Sequence, residues 1–179
     1  MWSFNERFAT VQLNGKWNFI NTNGQLLSHQ WFDYAGAFNG GFAIVQLNDK
    51  CNHLDTEGHL LSQQWFDNVW GFKEGFAIVQ LNDKRNFINT EGQILSTQWF
   101  DNVWGFNERF AIVQLNDKWN FINTEGQILF TQWFDIAWDF RDGFAKVILN
   151  GKYNFIDTEV NLRGKWSPID AKGQLLPML

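Results

Sequence analysis

The strongest constraint in this sequence is a spacing of 34 residues that recurs without an insertion. The pair Phe8-Ala9 returns at every step, as Phe42-Ala43, Phe76-Ala77, Phe110-Ala111 and Phe144-Ala145. So strict a period is typical of a chain in which each repeat forms one structural unit that stacks on its neighbours. We therefore expect one repeat domain over residues 1–179, with repeats that start near residues 2, 36, 70, 104 and 138.

Within each repeat the residue pattern predicts β-strands. In the second repeat, residues 41–47 are rich in β-branched and aromatic side chains and end at Asn48-Asp49, which predicts a strand followed by a turn. The first repeat has Asn14-Gly15 at that turn, the pair that best tolerates positive φ at both corners of a type I′ hairpin. We expect the second strand over residues 16–20 and a short third strand over residues 25–27.

A two-residue turn also predicts the register of the hairpin. Leu13 then lies opposite Lys16, and Val11 lies opposite Asn18, so that both faces of the hairpin carry apolar side chains. A lone hairpin with two apolar faces is unstable in water, so neighbouring repeats must cover it.

The fifth repeat loses the pattern after Thr158-Glu159. Val160 stands where glycine is expected. Residues 160–166 repeat the pattern of residues 11–17, but earlier in the chain than the 34-residue period predicts. An atypical last repeat is how an open array ends. The predicted fold is therefore all-β, a tandem array of five 34-residue hairpin or three-stranded repeats with a degenerate cap over residues 160–179. We favour an open curved array over a closed β-propeller, for whose four-stranded blades a repeat of this length is short.

Composition limits the partners. The formal net charge is −5 with a pI of about 5.1, and basic residues do not cluster, which argues against nucleic acid. Apolar runs fall well short of the roughly 20 residues of a membrane helix, and the first residues do not resemble a secretory signal. Cys51 is the single cysteine, so no disulfide framework exists. We expect no membrane insertion; localisation stays open, with the cytoplasm as the default.

The anchors of the fourth repeat resemble the bacterial WG-repeat family. They are residues 104–113, 116–122, 125–128 and 133–135, and the likeness extends over nearly the whole chain. The chain departs from the Trp-Gly pair of that family, because it has Trp17-Asn18, Cys51-Asn52, Arg85-Asn86, Trp119-Asn120 and Tyr153-Asn154. The resemblance implies an all-β module that mediates interactions, and it implies no catalytic residues.

The most suggestive candidate site is a Trp-Phe-Asp triplet that occurs in four repeats. A ring beside a carboxylate suits stacking on a sugar face while accepting hydrogen bonds from hydroxyl groups. The alternative, which we favour, is that the aromatic rings belong to the core and the aspartate caps the following turn. The candidate ligand-binding residues of the triplets are Trp31, Asp33, Trp65, Asp67, Trp99, Asp101, Trp133 and Asp135.

Two further columns of equivalent residues are candidates for a surface. The first, here called the Trp column, contains Trp2, Gly36, Trp70, Trp104 and Trp138. The second, the variable column, contains Trp17, Cys51, Arg85, Trp119 and Tyr153. A core position tolerates such changes of size poorly, so both columns are expected near a surface or a groove edge. Trp70 and Trp104 complete the candidate binding residues.

The other polar residues give no sign of catalysis. The recurring asparagine at residues 18, 52, 86, 120 and 154 is interpreted as an amide ladder between stacked repeats. Cys51, His53 and His59 share one repeat but lack a fourth ligand, so we expect no metal and no cofactor. We expect a non-enzymatic module that presents a repeated aromatic surface to a protein partner or to its own copies. The alternative is a multivalent glycan-binding module that uses the triplets.

Overall fold

The 34-residue period is built on a hairpin of two six-residue strands. The first strand, β1 (Phe8–Leu13), pairs antiparallel with β2 (Lys16–Asn21) in the predicted register, with Leu13 opposite Lys16. The turn residues Asn14 and Gly15 have φ values of 49° and 79°, the type I′ geometry that matches strand twist. The same register returns in the four hairpins that follow.

The structure, a computed structural model, describes residues 4–160 and the backbone of residues 162–168. Every helix or strand within these residues is a β-strand, and none of the five sheets closes into a barrel, so the predicted all-β tandem fold is confirmed. After β1 and β2 the strands are β3 (Tyr34–Ala35), β4 (Phe42–Leu47), β5 (Lys50–Asp55), β6 (Asn68–Val69), β7 (Phe76–Leu81), β8 (Lys84–Asn89), β9 (Asn102–Val103), β10 (Phe110–Leu115), β11 (Lys118–Asn123), β12 (Ile136–Ala137), β13 (Phe144–Leu149), β14 (Lys152–Asp157) and β15 (Leu162–Pro168).

The chain divides into an N-terminal half, residues 1–97, and a C-terminal half, residues 98–179. The N-terminal half contains the sheets β1-β2, β3-β4-β5 and β6-β7-β8. The C-terminal half contains β9-β10-β11 and the four-stranded sheet β12-β13-β14-β15. Each half has its own cluster of buried side chains, centred on Phe19, Phe32 and Phe38 in the first and on Phe121, Phe134 and Phe140 in the second.

In the three-stranded sheets the third strand lies before the hairpin and not after it. The two-residue strand β3 pairs with β4, as β6 pairs with β7. The strand predicted over residues 25–27 was wrong, because only an isolated bridge joins Leu26 to Ile20. Beyond Leu27 the chain leaves the ladder and presents the carbonyls of Ser28 and Gln30 to the Asn18 amide.

The last sheet ends differently from the others. β15 pairs antiparallel with β14, with a bulge opposite the stretch from Tyr153 to Phe155. The strand runs through Arg163 and Gly164, so the segment that copies residues 11–17 does not form a new hairpin turn. Residues 169–179 of the predicted cap, and Trp2 of the Trp column, lie outside the described residues.

Successive repeats approach each other through their backbones at one glycine. A Cβ built on Gly58 would lie 2.2 Å from the carbonyl oxygen of Leu27, and one on Gly92 would lie 2.1 Å from that of Leu61. Both glycines also have positive φ, 85° and 78°. Gly24 has a similar φ of 75° but no atom within 4 Å, because no repeat precedes it in the described residues. A side chain at Gly58 or Gly92 would therefore push two repeats apart.

Candidate functional site

The Trp-Phe-Asp triplet connects two successive hairpins. Phe32 exchanges two backbone hydrogen bonds with Trp17 on β2, at 2.7 and 2.8 Å, while the amide of Asp33 donates to Gln46 on β4 at 2.8 Å. Phe66 and Asp67 make the same bonds to Cys51 and Gln80, and Phe134 and Asp135 make them to Trp119 and Ile148. Each of these three triplets is therefore shared between the hairpin before it and the hairpin after it.

The aspartate of the triplet bonds both hairpin turns. Asp67 accepts from the ammonium of Lys50, the residue that directly follows the preceding turn. At 2.6 Å it also accepts from the amide of Asn82 in the next turn. Asp33 and Asp135 have the same two kinds of partner. The lysine above all lowers the pKa of each of these three carboxyls, helped by the turn amide. They are ionised at neutral pH, and both oxygens of each are engaged inside the protein.

The rings of the triplet contribute to packing. The phenylalanine is fully buried in all four triplets, at Phe32, Phe66, Phe100 and Phe134. The tryptophans Trp31, Trp65, Trp99 and Trp133 are half-buried, and Trp65 packs against the core cluster of the N-terminal half. Asp101 also accepts from a turn amide, that of Asn116 at 2.7 Å. The structure thus uses the phenylalanine of each triplet for the core and the aspartate for bonds to the hairpin turns. A ligand-binding role for the triplets stays a prediction.

The recurring asparagine bonds within its own repeat. The buried Asn18 donates from Nδ2 to the carbonyls of Ser28, at 2.8 Å, and Gln30, at 3.2 Å, and its Oδ1 accepts from the Phe19 amide at 2.7 Å. Asn52 and Asn120 repeat this arrangement. The predicted amide ladder between repeats was wrong, because the side chain instead fixes the irregular loop that precedes the triplet.

Trp70, Trp104 and Trp138 of the Trp column lie at the surface, where their rings contact the variable column or a neighbouring lysine. Trp70, Trp104 and Trp138 are 39%, 37% and 44% exposed. Trp104 stacks on Trp119 with ring centroids 4.7 Å apart, and the Arg85 guanidinium lies 5.6 Å from the Trp70 ring. The Lys146 ammonium lies between two rings, those of Trp138, 5.1 Å away, and Tyr153, 5.4 Å away. We call the groups of the C-terminal half, which are Trp104, Trp119, Trp138, Lys146 and Tyr153, the paired-ring surface.

One polar residue in the core was missed by sequence reasoning. His53 is 1% exposed and occupies the place of Phe19, Phe87 and Phe121 in other repeats. Its Nε2 lies 2.8 Å from the Trp70 carbonyl oxygen, so Nε2 carries the proton. Nδ1 is buried and has no hydrogen-bond partner. The break in an otherwise phenylalanine column was the available signal.

The burial of His53 predicts a pH-dependent stability. Burial lowers its pKa below the ordinary value of 6.5, so between the two values the unfolded chain binds a proton that the folded chain does not. The free energy of unfolding should therefore fall as pH falls below about 6.5. His53→Phe should remove this dependence and add about 1 kcal/mol at neutral pH, because it eliminates an unsatisfied buried nitrogen. Urea denaturation at pH 5.5 and 7.5 measures both effects, and the exposed His29→Gln should leave them unchanged.

Other chemistry is sparse in the part of the chain that the structure describes. It contains no group of three or more histidine, cysteine or acidic side chains placed to hold a metal ion. Burial raises the pKa of the Cys51 thiol, which keeps this group protonated and weakly nucleophilic. Residues 4–160 and 162–168 contain no helix that is long and apolar enough to span a membrane.

Several solved structures are similar in outline. Hsv2 of Kluyveromyces lactis is 9% identical, with 94% of this chain and 65% of that chain covered and a TM-score of 0.41. A protein of unknown function from Bacteroides caccae is 14% identical, with 96% and 81% covered and a TM-score of 0.32. A eukaryotic initiation factor is 14% identical, with 89% and 52% covered and a TM-score of 0.47. The chain thus spans less than two thirds of the Hsv2 chain.

Sequence similarity, unlike similarity of structure, identifies the family of the chain. No curated protein matches the chain. The model of the family described as WG containing repeat matches four consecutive segments, residues 19–51, 55–84, 87–119 and 121–153. These segments make up well over half of the chain and follow the period of the hairpins. The chain therefore belongs to the WG containing repeat family.

Proposed function

We propose that this chain is a non-catalytic binding module that docks a protein partner on the paired-ring surface. One observation carries the proposal: half-exposed tryptophans recur at one position of a constant scaffold, while the side chains that contact them differ. Beneath Trp70 lies an arginine and beneath Trp104 a tryptophan, whereas Trp138 contacts a lysine. The third, fourth and fifth repeats thus offer different chemical surfaces at an equivalent place. A partner that contacts the two unlike surfaces of the C-terminal half is itself chemically irregular, as a protein surface is.

The rings are also suited to strong binding because they are held in place before a partner arrives. Tryptophan, tyrosine and arginine dominate the binding energy of protein interfaces. A ring that is already stacked loses little conformational entropy on binding, so more of the gained contact energy remains. The stacked pair Trp104 and Trp119 is the clearest instance in the C-terminal half.

The alternative function, glycan binding at the triplets, has weaker support. Hydrogen bonding to sugar hydroxyls needs carboxylate lone pairs that the protein itself leaves open beside the ring. At Asp33, Asp67 and Asp135 both oxygens already accept from a lysine and a turn amide. Only the remaining lone pair of each oxygen is left for a sugar, and displacing the existing bonds would cost the contacts that join successive hairpins.

Substitution of the exposed rings tests the proposal. The double variant Trp104→Ala and Trp138→Ala should bind the partner at least about tenfold more weakly, since each such ring contributes about 1–2 kcal/mol at an interface. The partner is first enriched from the source cells with the intact chain and identified by mass spectrometry. Its affinity for both purified chains is then measured by titration calorimetry.

A matched control uses another exposed apolar side chain. Leu26 is 52% exposed and belongs to neither column of the paired-ring surface, so Leu26→Ala should leave the affinity unchanged. Equal affinity for the double variant and the intact chain would contradict the proposal. Binding to a glycan array that is lost in Trp133→Ala, with folding retained, would support the alternative.

A further inference from the structure

Three junctions between consecutive repeats contain the same contact of aromatic rings. Phe38 of the second repeat packs on two rings of the first, with its centroid 4.6 Å from that of Phe8 and 4.9 Å from that of Phe19. The same contact, with centroids 4.5 to 5.3 Å apart, recurs where Phe72 packs on Phe42 and His53 and where Phe140 packs on Phe110 and Phe121. We call the two rings of the earlier repeat its ring pair. A phenylalanine of the next repeat thus covers each of these ring pairs.

The ring pair of the fifth repeat is open. It is formed by Phe144 and Phe155, which are 49% and 42% exposed and line a groove of about 530 Å³. The equivalents of Phe155 in the other four repeats are at most 1% exposed; they are Phe19, His53, Phe87 and Phe121. No phenylalanine follows Phe155 in the sequence. The fifth repeat therefore presents a place for one phenylalanine ring that this sequence does not supply one period later.

The first repeat presents a phenylalanine of the kind that covers a ring pair. Phe4 stands one period before Phe38 and is 50% exposed. The turn that follows it already has the required backbone geometry, because Glu6 and Arg7 have φ values of 47° and 74°. The corresponding two glycines after Phe38 have φ values of 62° and 84°. An exposed segment of the N-terminal half thus has the shape that covers a ring pair elsewhere in the chain.

We propose that Phe4 of one copy of this chain packs on Phe144 and Phe155 of a second copy. The contact reproduces, between two chains, the junction that joins successive repeats within one chain. Because the two surfaces are different, the association is head-to-tail, and it continues to further copies or closes into a ring of copies. It goes beyond the proposed docking of a partner and does not depend on it, because the stacked pair Trp104 and Trp119 takes no part.

Polar groups beside the rings support the internal junctions. Glu6 accepts from the amides of Gly40 and Gly41, at 2.8 and 2.9 Å, and Asn5 donates to the Phe38 carbonyl at 2.8 Å. Glu108 and Asn107 bond the fifth repeat in the same way, at 3.0 and 2.7 Å. A carboxylate and a donor on the earlier repeat therefore accompany the ring contact.

The fifth repeat has groups of the same kind beside its open ring pair. Asp142 stands at the position of Glu6 and Arg141 at that of Asn5, and both are exposed. The carboxylate of Asp142 is one methylene group shorter than that of glutamate. In the proposed contact, however, it faces Arg7 of the second copy, which stands where the second repeat has a glycine. The attraction between these opposite charges favours this occupant over an uncharged apolar segment.

Sedimentation velocity of the whole chain over about 5–500 μM tests the proposal. A contact of one repeat's size is smaller than the roughly 1,600 Å² of a stable interface, so we expect a Kd on the order of 50 μM. Phe4→Ala and Phe144→Ala should each weaken the association at least about tenfold, since an interface ring is lost. Both side chains are half exposed, and far-UV circular dichroism of each variant should match that of the original chain.

A mixture of the two variants separates this contact from other kinds of association. The Phe4→Ala chain keeps the ring pair, and the Phe144→Ala chain keeps Phe4, so one intact contact is possible only between unlike chains. The equimolar mixture should therefore form dimers with the original Kd, and no larger species, although each variant alone stays monomeric. Association through two equal surfaces, or through general stickiness, would not be restored by mixing.

Two further variants serve as controls. Leu13 is 58% exposed at a hairpin tip, so Leu13→Ala removes apolar surface elsewhere and should leave the association unchanged. Trp104→Ala should also leave it unchanged, which keeps a failure of the paired-ring surface distinguishable from a failure of this contact. The proposal is overturned if the original chain stays monomeric up to about 500 μM, if Phe4→Ala associates as tightly as the original, or if the mixture stays monomeric.

Discussion

Gly92→Ala should destabilise the N-terminal half by about 4 kcal/mol, the largest effect that we expect from adding a single methyl group anywhere in this part of the chain. Two costs add together. Alanine at a φ of 78° costs about 1–2 kcal/mol. A Cβ that would lie 2.1 Å from the Leu61 carbonyl oxygen forces two repeats apart, at a further cost of about 1–3 kcal/mol. Urea denaturation followed by far-UV circular dichroism measures the loss.

The chain supplies the control for this experiment. Gly24 occupies the same turn of the first repeat with a φ of 75° and no neighbouring atom within 4 Å. Gly24→Ala should therefore show the backbone cost alone, about 1–2 kcal/mol. Equal losses in the two variants would mean that the approach between repeats does not limit the side chain at this position.

Asn120→Leu should destabilise the C-terminal half by about 3 kcal/mol although leucine has nearly the same size. The amide is buried, donates to the Phe130 carbonyl at 2.8 Å and accepts from the Phe121 amide at 2.8 Å. Leucine leaves these backbone groups without a partner in a site from which water is excluded, and each such group costs about 1–3 kcal/mol. Thermal and urea denaturation measure the change.

The control for Asn120 is a residue of the loop that it fixes. Gln132 has an exposed side chain, and its backbone carbonyl accepts from Asn120 at 3.4 Å. Gln132→Leu removes an amide of the same kind while keeping that carbonyl, so the free energy of unfolding should change by less than about 0.5 kcal/mol. A loss as large as that of Asn120→Leu would argue that surface hydrophobicity, and not the buried bonds, is the cause.

The local structure of the repeat was predictable from the sequence. The hairpin, its turn and its register follow from the residue pattern of the strands, the Asn-Gly turn and the fixed period. All of these depend on neighbours within a few residues. The burial of phenylalanine at a constant phase, as at Phe32 and Phe66, follows for the same reason. Family membership followed from the same recurring anchors.

Contacts between distant segments were not predictable in the same way. The third strand was assigned to residues 25–27 since these are apolar, but Tyr34 and Ala35 form it because the chain must reach the next hairpin. The bonds of Asn18 reach 10 and 12 residues along the chain, into an irregular loop. The sequence of this loop shows no alternation of apolar and polar residues that would indicate its path.

The shared triplet gives a physical reason for the absence of insertions. A segment such as Trp65 to Asp67 is hydrogen-bonded along both edges, and its carboxylate reaches a turn on each side. One added residue would turn its side chains to the opposite faces and leave one of the two edges mismatched. We therefore expect this protein to tolerate a change of length between hairpins only as a whole period, because a single-residue insertion would break a junction.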